Sequence, residues 1–324
     1  MTSKAPAENQ TSGNFADKDG QFKRQVSSFR DFISREPGAK FPPEKNRYHL
    51  YVSYACPWAH RTLITRKLKG LEDFIDVSVV DWFLGPDGWR FTTPDKVPGA
   101  TIDSLYGSKF LRDLYFRANP DYSARFTVPI LWDKKTETIV NNESSEIIRM
   151  LYTEFDDLIA PEFRGVNPYP EKHAAAIDEL NEWIYNDINN GVYKSGFATT
   201  QEAYDENVHK LFKALDRVES ILEKSSGPYL LGEDFTEADL RLYPTIVRFD
   251  PVYVQHFKCN IGMIRHDYPA INKWLVHLYW DIPAFKDTTD FDHIKFHYTK
   301  SHLKYNPFGI TPAGPLPNIL PKDK

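Results

Sequence analysis

A chain of 324 residues can bury substantial cores and is expected to hold about two domains. Charged residues make up 26% and the net charge is −5 without a block of one sign, which argues against a nucleic-acid footprint. No apolar run approaches the roughly 18 residues of a membrane span, and only two cysteines occur, Cys56 and Cys259, so no disulfide framework is expected and a reducing compartment, the cytosol, fits.

Taken in order, residues 1 to about 20 are polar, lack the apolar stretch of a signal peptide and are expected to be mobile. Phe22–Lys45 carries scattered aromatics (Phe22, Phe29, Phe32, Phe41) and reads as an ordered extension wrapped over a domain. Tyr48–Ser53 alternates like a strand, a helix follows through Leu68, and Ile75–Val80 is a second strand, giving a β-α-β unit with a parallel pair. Cys56 falls where strand gives way to helix. Pro57 suits the first helical position, because its missing N–H costs nothing there, so Cys56 is the expected N-cap. Unpaired N–H groups and the positive end of the helix dipole stabilise a thiolate and lower a cysteine pKa from its free value of about 8.5.

Prolines and glycines make Asp81–Phe126 a long loop, broken by helical spacing over Lys109–Ala118. Trp89 lies in it, and surface packing and ligand contact are equally open for that residue. Thr127–Trp132 is strand-like with Pro129 near its start. A cis Val128–Pro129 bond would turn the Val128 backbone outward to pair with an extended peptide. After a hairpin through Thr138–Val140, a helix begins past Asn142. Glu143, Ser144 and Ser145 then form either an anion site or a plain N-cap.

Thr153–Pro170 is loop-like, and the remainder is mainly helical. Apolar stripes run through Ile177, Leu180, Ile184 and Ile188, then through Val208, Leu211, Phe212, Leu215, Val218 and Leu222, and finally through Ile271, Trp274, Leu275 and Leu278. Thr236–Asp239 resembles a capping box. Five prolines make the tail from Tyr305 extended.

Three chemistries are weighed at Cys56. With His60 it makes two metal ligands without a second pair, where zinc needs three or four, so no metal is expected. A Cys-His dyad is discounted, since His60 follows on the same helix and points away from a sulfur at its cap. His60 and Arg61 are expected in packing and surface roles. A dithiol site would need cysteine where Ala59 stands, and Cys259 is expected in the core. A lone thiol must pass its mixed disulfide to an external thiol, for which glutathione is the obvious candidate.

Tyr54-Ala55-Cys56-Pro57-Trp58-Ala59-His60-Arg61, Asp87-Gly88-Trp89-Arg90-Phe91, Thr127-Val128-Pro129, Val140-Asn141-Asn142-Glu143-Ser144-Ser145 and His256-Phe257-Lys258-Cys259-Asn260 together closely resemble the glutathionyl-hydroquinone reductases, the Xi class of glutathione transferases. The resemblance covers about residues 22–320. It implies a thioredoxin-like N-terminal domain followed by an all-helical glutathione-transferase C-terminal domain, glutathione as co-substrate, quinol-type small molecules as partners and a homodimer. The chain then divides into an N-terminal segment (1–46), a glutathione-binding domain with a long insertion (47–155), a linker (156–169), a helical domain (170–304) and a tail (305–324).

Position by position, the resemblance implies Cys56 as nucleophile, Val128 as backbone clamp for the glutathione cysteinyl unit, Glu143 and Ser144 as γ-glutamyl site, and Trp89 as a wall of the site. A glutathione-holding arginine matches Arg112 or Arg125. Tyr193, Tyr253 and Tyr298 correspond to tyrosines that bond the quinol ring, though each could equally be ordinary aromatic packing. The implied activity is deglutathionylation of glutathionyl-hydroquinones, with thiol-transferase and dehydroascorbate-reductase side activities. Two rivals stand beside it: a transferase that conjugates glutathione to electrophiles using Ser53 or Tyr54, and a non-catalytic ligand carrier with an inert Cys56.

Overall fold

The computed structural model describes residues 15–322. The first fourteen residues of the stretch expected to be mobile lie outside the described residues. The chain forms two compact units, one of residues 25–166 and 292–310, the other of residues 15–24, 167–291 and 311–322.

The first unit is built on β1 (Tyr48–Val52), α1 (Pro57–Leu68) and β2 (Asp76–Val79). β1 is buried along its whole length and pairs in parallel with β2, Leu50 opposite Val77. A parallel pair needs a crossover, and α1 supplies it. Two very short strands, β3 (Leu84–Gly85) and β4 (Gly88–Trp89), then form a hairpin, followed by α2 (Leu111–Ala118). β5 (Ile130–Asp133) and β6 (Thr138–Asn141) complete the sheet in the order β2-β1-β5-β6, with β1–β5 and β5–β6 antiparallel. α3 (Ser144–Thr153) packs against α1, and a short α4 (Pro161–Arg164) follows. This is the thioredoxin-like arrangement.

The long stretch after β2 is tied down at Asp103, which accepts from Tyr51 Oη (2.9 Å), Leu105 N (3.1 Å) and Ser108 N (3.0 Å). Asp81 holds the hairpin by accepting from Arg90 Nε at 2.7 Å and Phe83 N at 2.9 Å. Ahead of β1 the chain runs beside β6: Asp31 N donates to Val140 O (3.0 Å) and Asn142 N to Phe29 O (3.1 Å). That covers the β6 edge of the sheet against pairing with another chain.

The second unit is helical: α5 (Ala174–Trp183), α6 (Gly191–Gly196), α7 (Gln201–Lys224), α8 (Glu237–Arg248), α9 (Val254–His256), α10 (Ile264–Asp267), α11 (Pro269–Asp281) and α12 (Pro283–Lys286). The three apolar stripes lie on α5 and its π-helical continuation, on α7 and on α11. Apart from half-buried Leu222, they are buried. Thr236 and Asp239 form the capping box of α8. Asp239 also accepts from Leu230 N and Trp274 Nε1, so one buried carboxylate ties the cap to two other segments. The last helix, α13 (Phe291–Ser301), lies mostly in the first unit.

Arg47 and Asp133 make a buried two-bond ion pair (2.8 Å each) at the base of the sheet. Burial opposes the charged carboxylate, but Arg47, Thr136 and the Lys135 N–H outweigh it and hold Asp133 below its usual range. A carboxylate depressed in the folded state adds stability above its unfolded pKa, and that stability is lost as pH falls through the folded value. Asp133→Asn is therefore expected to be less stable than wild type at pH 7 and to lose less stability between about pH 5 and 3. Urea unfolding at both pH values checks this; parallel losses in the two proteins would contradict it.

Candidate active site

Cys56 is the N-cap of α1, with Pro57 at the first helical position, and its extended backbone (φ −78°, ψ 119°) turns the chain from β1 into the helix. The Cys56 side chain makes no capping hydrogen bond of its own to the helix. The Cys56 carbonyl accepts the first helical bond from His60 N at 3.0 Å. Cys56 is half-buried, and its Sγ lies 3.6 Å from Val128 O, to which its thiol donates. Val128–Pro129 is cis. The Val128 carbonyl is thus engaged by the thiol, where the sequence reading has it free. His60 and Arg61 are both buried, in keeping with the packing role and against the surface role expected of them: α1 is covered on more sides than its sequence reveals. Arg61 lies over the Trp58 ring at 4.6 Å.

At the start of α3 the Glu143 carboxylate accepts from Ser145 N (3.2 Å) and Ser145 Oγ (3.0 Å), so the plain N-cap is realised. The Ser144 hydroxyl is buried and has no hydrogen-bond partner among the described residues. A buried hydroxyl without a partner carries a desolvation cost that an incoming polar group would relieve. The orphan hydroxyl beside a carboxylate cap suits a ligand that brings an acceptor to the first and a cation to the second.

Trp89 is buried on β4 and stacks on His297 with ring centres 5.0 Å apart. His297 Nδ1 donates to Trp82 O at 2.9 Å, which fixes the ring. Arg112 pairs with Asp87, two residues before Trp89, at 2.9 Å, and lies over the Phe110 ring. Arg125 is half-buried, and its N–H donates to Gln25 Oε1 at 3.2 Å. Tyr298 is buried in the first unit beside His297. Tyr193 and Tyr253 belong to the second unit, with their rings 6.2 Å apart.

Sequence reasoning misses Tyr115. It sits on α2, fully buried, and its hydroxyl donates to Thr127 O (2.8 Å) while meeting Thr127 N and Asn142 Nδ2, each at 3.2 Å. One phenol therefore joins the residue before Val128 to the residue before Glu143. Burial pushes its pKa up, so it stays protonated. In sequence it is one more aromatic in an apolar stripe, and no local signal separates it from core.

Ser53, a candidate in the conjugating alternative, is fully buried with its Oγ accepting from Ala55 N at 3.2 Å. Tyr54 is half-buried, with its ring edge-on to His293 at 5.4 Å. Cys259 is fully buried in the second unit, and burial pushes its thiol pKa up. Among the described residues no group of three His, Cys, Asp or Glu could hold a metal, and no helix is long and apolar enough to cross a membrane.

The profile of the glutathione S-transferase N-terminal domain matches residues 55–154, and that of the C-terminal domain matches residues 201–277. The chain belongs to the glutathione S-transferase family. It is 62% identical over 307 residues to glutathione S-transferase omega-like 2 of Schizosaccharomyces pombe, spanning 94% of this chain and 97% of that protein. It is 54% identical over 306 residues to the glutathionyl-hydroquinone reductase YqjG of Escherichia coli, spanning 93% and 90%. The crystal structure of the Xi glutathione transferase ECM4 of Saccharomyces cerevisiae in complex with glutathione superposes with a TM-score of 0.90 at 47% identity, covering 93% of this chain and 99% of that one. Within the family its likeness is to the Xi class and to the glutathionyl-hydroquinone reductases.

Iodoacetamide applied to the native protein is expected to modify Cys56 alone, with Cys259 reacting only after unfolding. Peptide mass spectrometry reads the sites. Equal modification of both cysteines in the native protein would contradict the geometry given for them.

Proposed function

We propose that the protein is a glutathione-dependent reductase of glutathionyl-hydroquinones, with Cys56 as its nucleophile. The single observation that carries this is the sulfur of half-buried Cys56 at the N-terminus of α1, 3.6 Å from the Val128 carbonyl. The name of the E. coli relative and the glutathione held by the yeast Xi enzyme support the same reading.

In the first step the Cys56 thiolate attacks the sulfur of the glutathionyl group. A Cys56–glutathione disulfide forms, the sulfur–aryl bond breaks, and the aryl carbon takes a proton to leave as hydroquinone. The two sulfurs are oxidised and the ring carbon is reduced. In the second step a glutathione thiolate attacks the glutathionyl sulfur of the mixed disulfide. Oxidised glutathione leaves and the Cys56 thiolate returns. A stabilised thiolate serves twice, as populated nucleophile and then as leaving group.

The chain's residues would divide the work as follows. Val128 pairs with the cysteinyl backbone of glutathione by strand-like addition. The Glu143 carboxylate receives the γ-glutamyl ammonium, and Ser144 with the α3 N-terminus receives its carboxylate. Trp89 walls the site, and Arg112 or Arg125 holds a glutathione carboxylate. Tyr193, Tyr253 and Tyr298 are assigned to the quinol ring on the family pattern, where a phenol could supply the proton for the aryl carbon. Thiol-transferase and dehydroascorbate-reductase activities would use the same first thiolate. Homodimeric assembly and a cytoplasmic location complete the reading. Ser53 is fully buried and offers no exposed hydroxyl to a glutathione sulfur, so the conjugating alternative is left with half-buried Tyr54.

With a defined glutathionyl-hydroquinone and free glutathione, Cys56→Ser is expected to fall below about a tenth of wild-type turnover, since the covalent route is lost. Retained turnover above that level would overturn the mechanism. Conjugation of an electrophile by the same variant would favour the alternative.

A further inference from the structure

The segment ahead of β1 reaches the start of α3 at side chains the proposed glutathione site uses. Ser27 Oγ shares its one proton between Glu143 Oε2 (3.1 Å) and Asn142 O (3.3 Å). The other Glu143 oxygen is held by Ser145. The carboxylate is thus gripped on one side by its own helix and on the other by a residue 116 positions earlier. Ser27 is itself well anchored. Two residues on, Phe29 N donates to Asn142 Oδ1 and Phe29 O accepts from Asn142 N, each at 3.1 Å. Two residues before, Gln25 Oε1 accepts from Arg125 N at 3.2 Å. Five consecutive residues, 25–29, therefore bridge the loop that carries Arg125 and the cap that carries Glu143.

We propose that Ser27 is a positioning residue that sets the affinity of this site for glutathione. Its hydroxyl holds the Glu143 carboxylate in the orientation that meets an ammonium group. Without it, Oε2 loses a donor from the segment ahead of β1 and the side chain gains freedom that must be given up on binding. This rests on the role given to Glu143 under the proposed function. A negative charge at position 27 would act further in the same direction, by like-charge repulsion and by unseating the segment.

The test is titration calorimetry of the full chain with reduced glutathione, for wild type, Ser27→Ala, Ser27→Thr and Ser27→Asp. The rate of iodoacetamide reaction at Cys56 without glutathione is measured alongside. Ser27→Ala is expected to weaken binding about three- to tenfold and Ser27→Asp more, while Ser27→Thr stays within about twofold of wild type. The alkylation rate should be the same in all four, because Ser27 does not touch the thiol. Unchanged affinity in Ser27→Ala, failure of Ser27→Thr to restore it, or an alkylation rate that shifts with affinity would each overturn the proposal. If wild type itself binds no glutathione, the proposed function falls as well; wild-type binding with an unaffected Ser27→Ala removes only the role of Ser27.

Discussion

A sulfur at the start of a helix, facing a backbone carbonyl across a turn, is the contact that the sheet of the first unit holds in place. Pro57 lets α1 begin without an N–H to satisfy, and Cys56 stands at the N-cap with its sulfur making no capping bond to the helix. β1 fixes where the chain enters this turn because it is buried on both faces and paired on both edges. β5, antiparallel to β1, brings the Val128–Pro129 bend to the same end of the sheet, 3.6 Å from the thiol. Each partner is placed by backbone pairing rather than by a flexible side chain, which suits a reaction that tolerates little misplacement.

The supports behind this contact are polar and buried. Tyr115 ties Thr127 to Asn142, and Asn142 in turn holds the extension through Phe29. The Val128 bend and the Glu143 cap, far apart in sequence, therefore share a single phenol as common anchor. The extension closes the sheet edge at β6 and brings Ser27 to Glu143. The stretch that pairs with the β6 edge, through Phe29 and Asp31, continues directly from the residue that reaches Glu143.

Much of this was legible beforehand, for local reasons. The β1-α1-β2 unit announces itself through alternation, a proline at the helix start and helical spacing. The capping box of α8 announces itself through Thr236 and Asp239, three apart. Those signals need no knowledge of distant residues. Tyr115 and Ser27 were not legible, because their partners lie 12 to 116 positions away and neither residue type is unusual where it stands. His60 and Arg61 both take the packing role and neither the surface one, because packing covers the polar residues of α1 as well. Apolar spacing finds α5, α7 and α11 but gives no sign that α13 lies mostly in the first unit. The roles of Trp89, Arg112, Arg125 and the three tyrosines came from family likeness, since their residue types also suit packing and surface ion pairs.

The central claim is that one thiol, Cys56, takes the glutathionyl group itself. Reduced protein mixed with an equimolar glutathionyl-hydroquinone, in the absence of free glutathione, tests it by intact and peptide mass. The account predicts a gain of one glutathionyl group on the peptide containing Cys56, with hydroquinone appearing in equal amount. Hydroquinone release with the protein mass unchanged, or an adduct confined to Cys259, would contradict it.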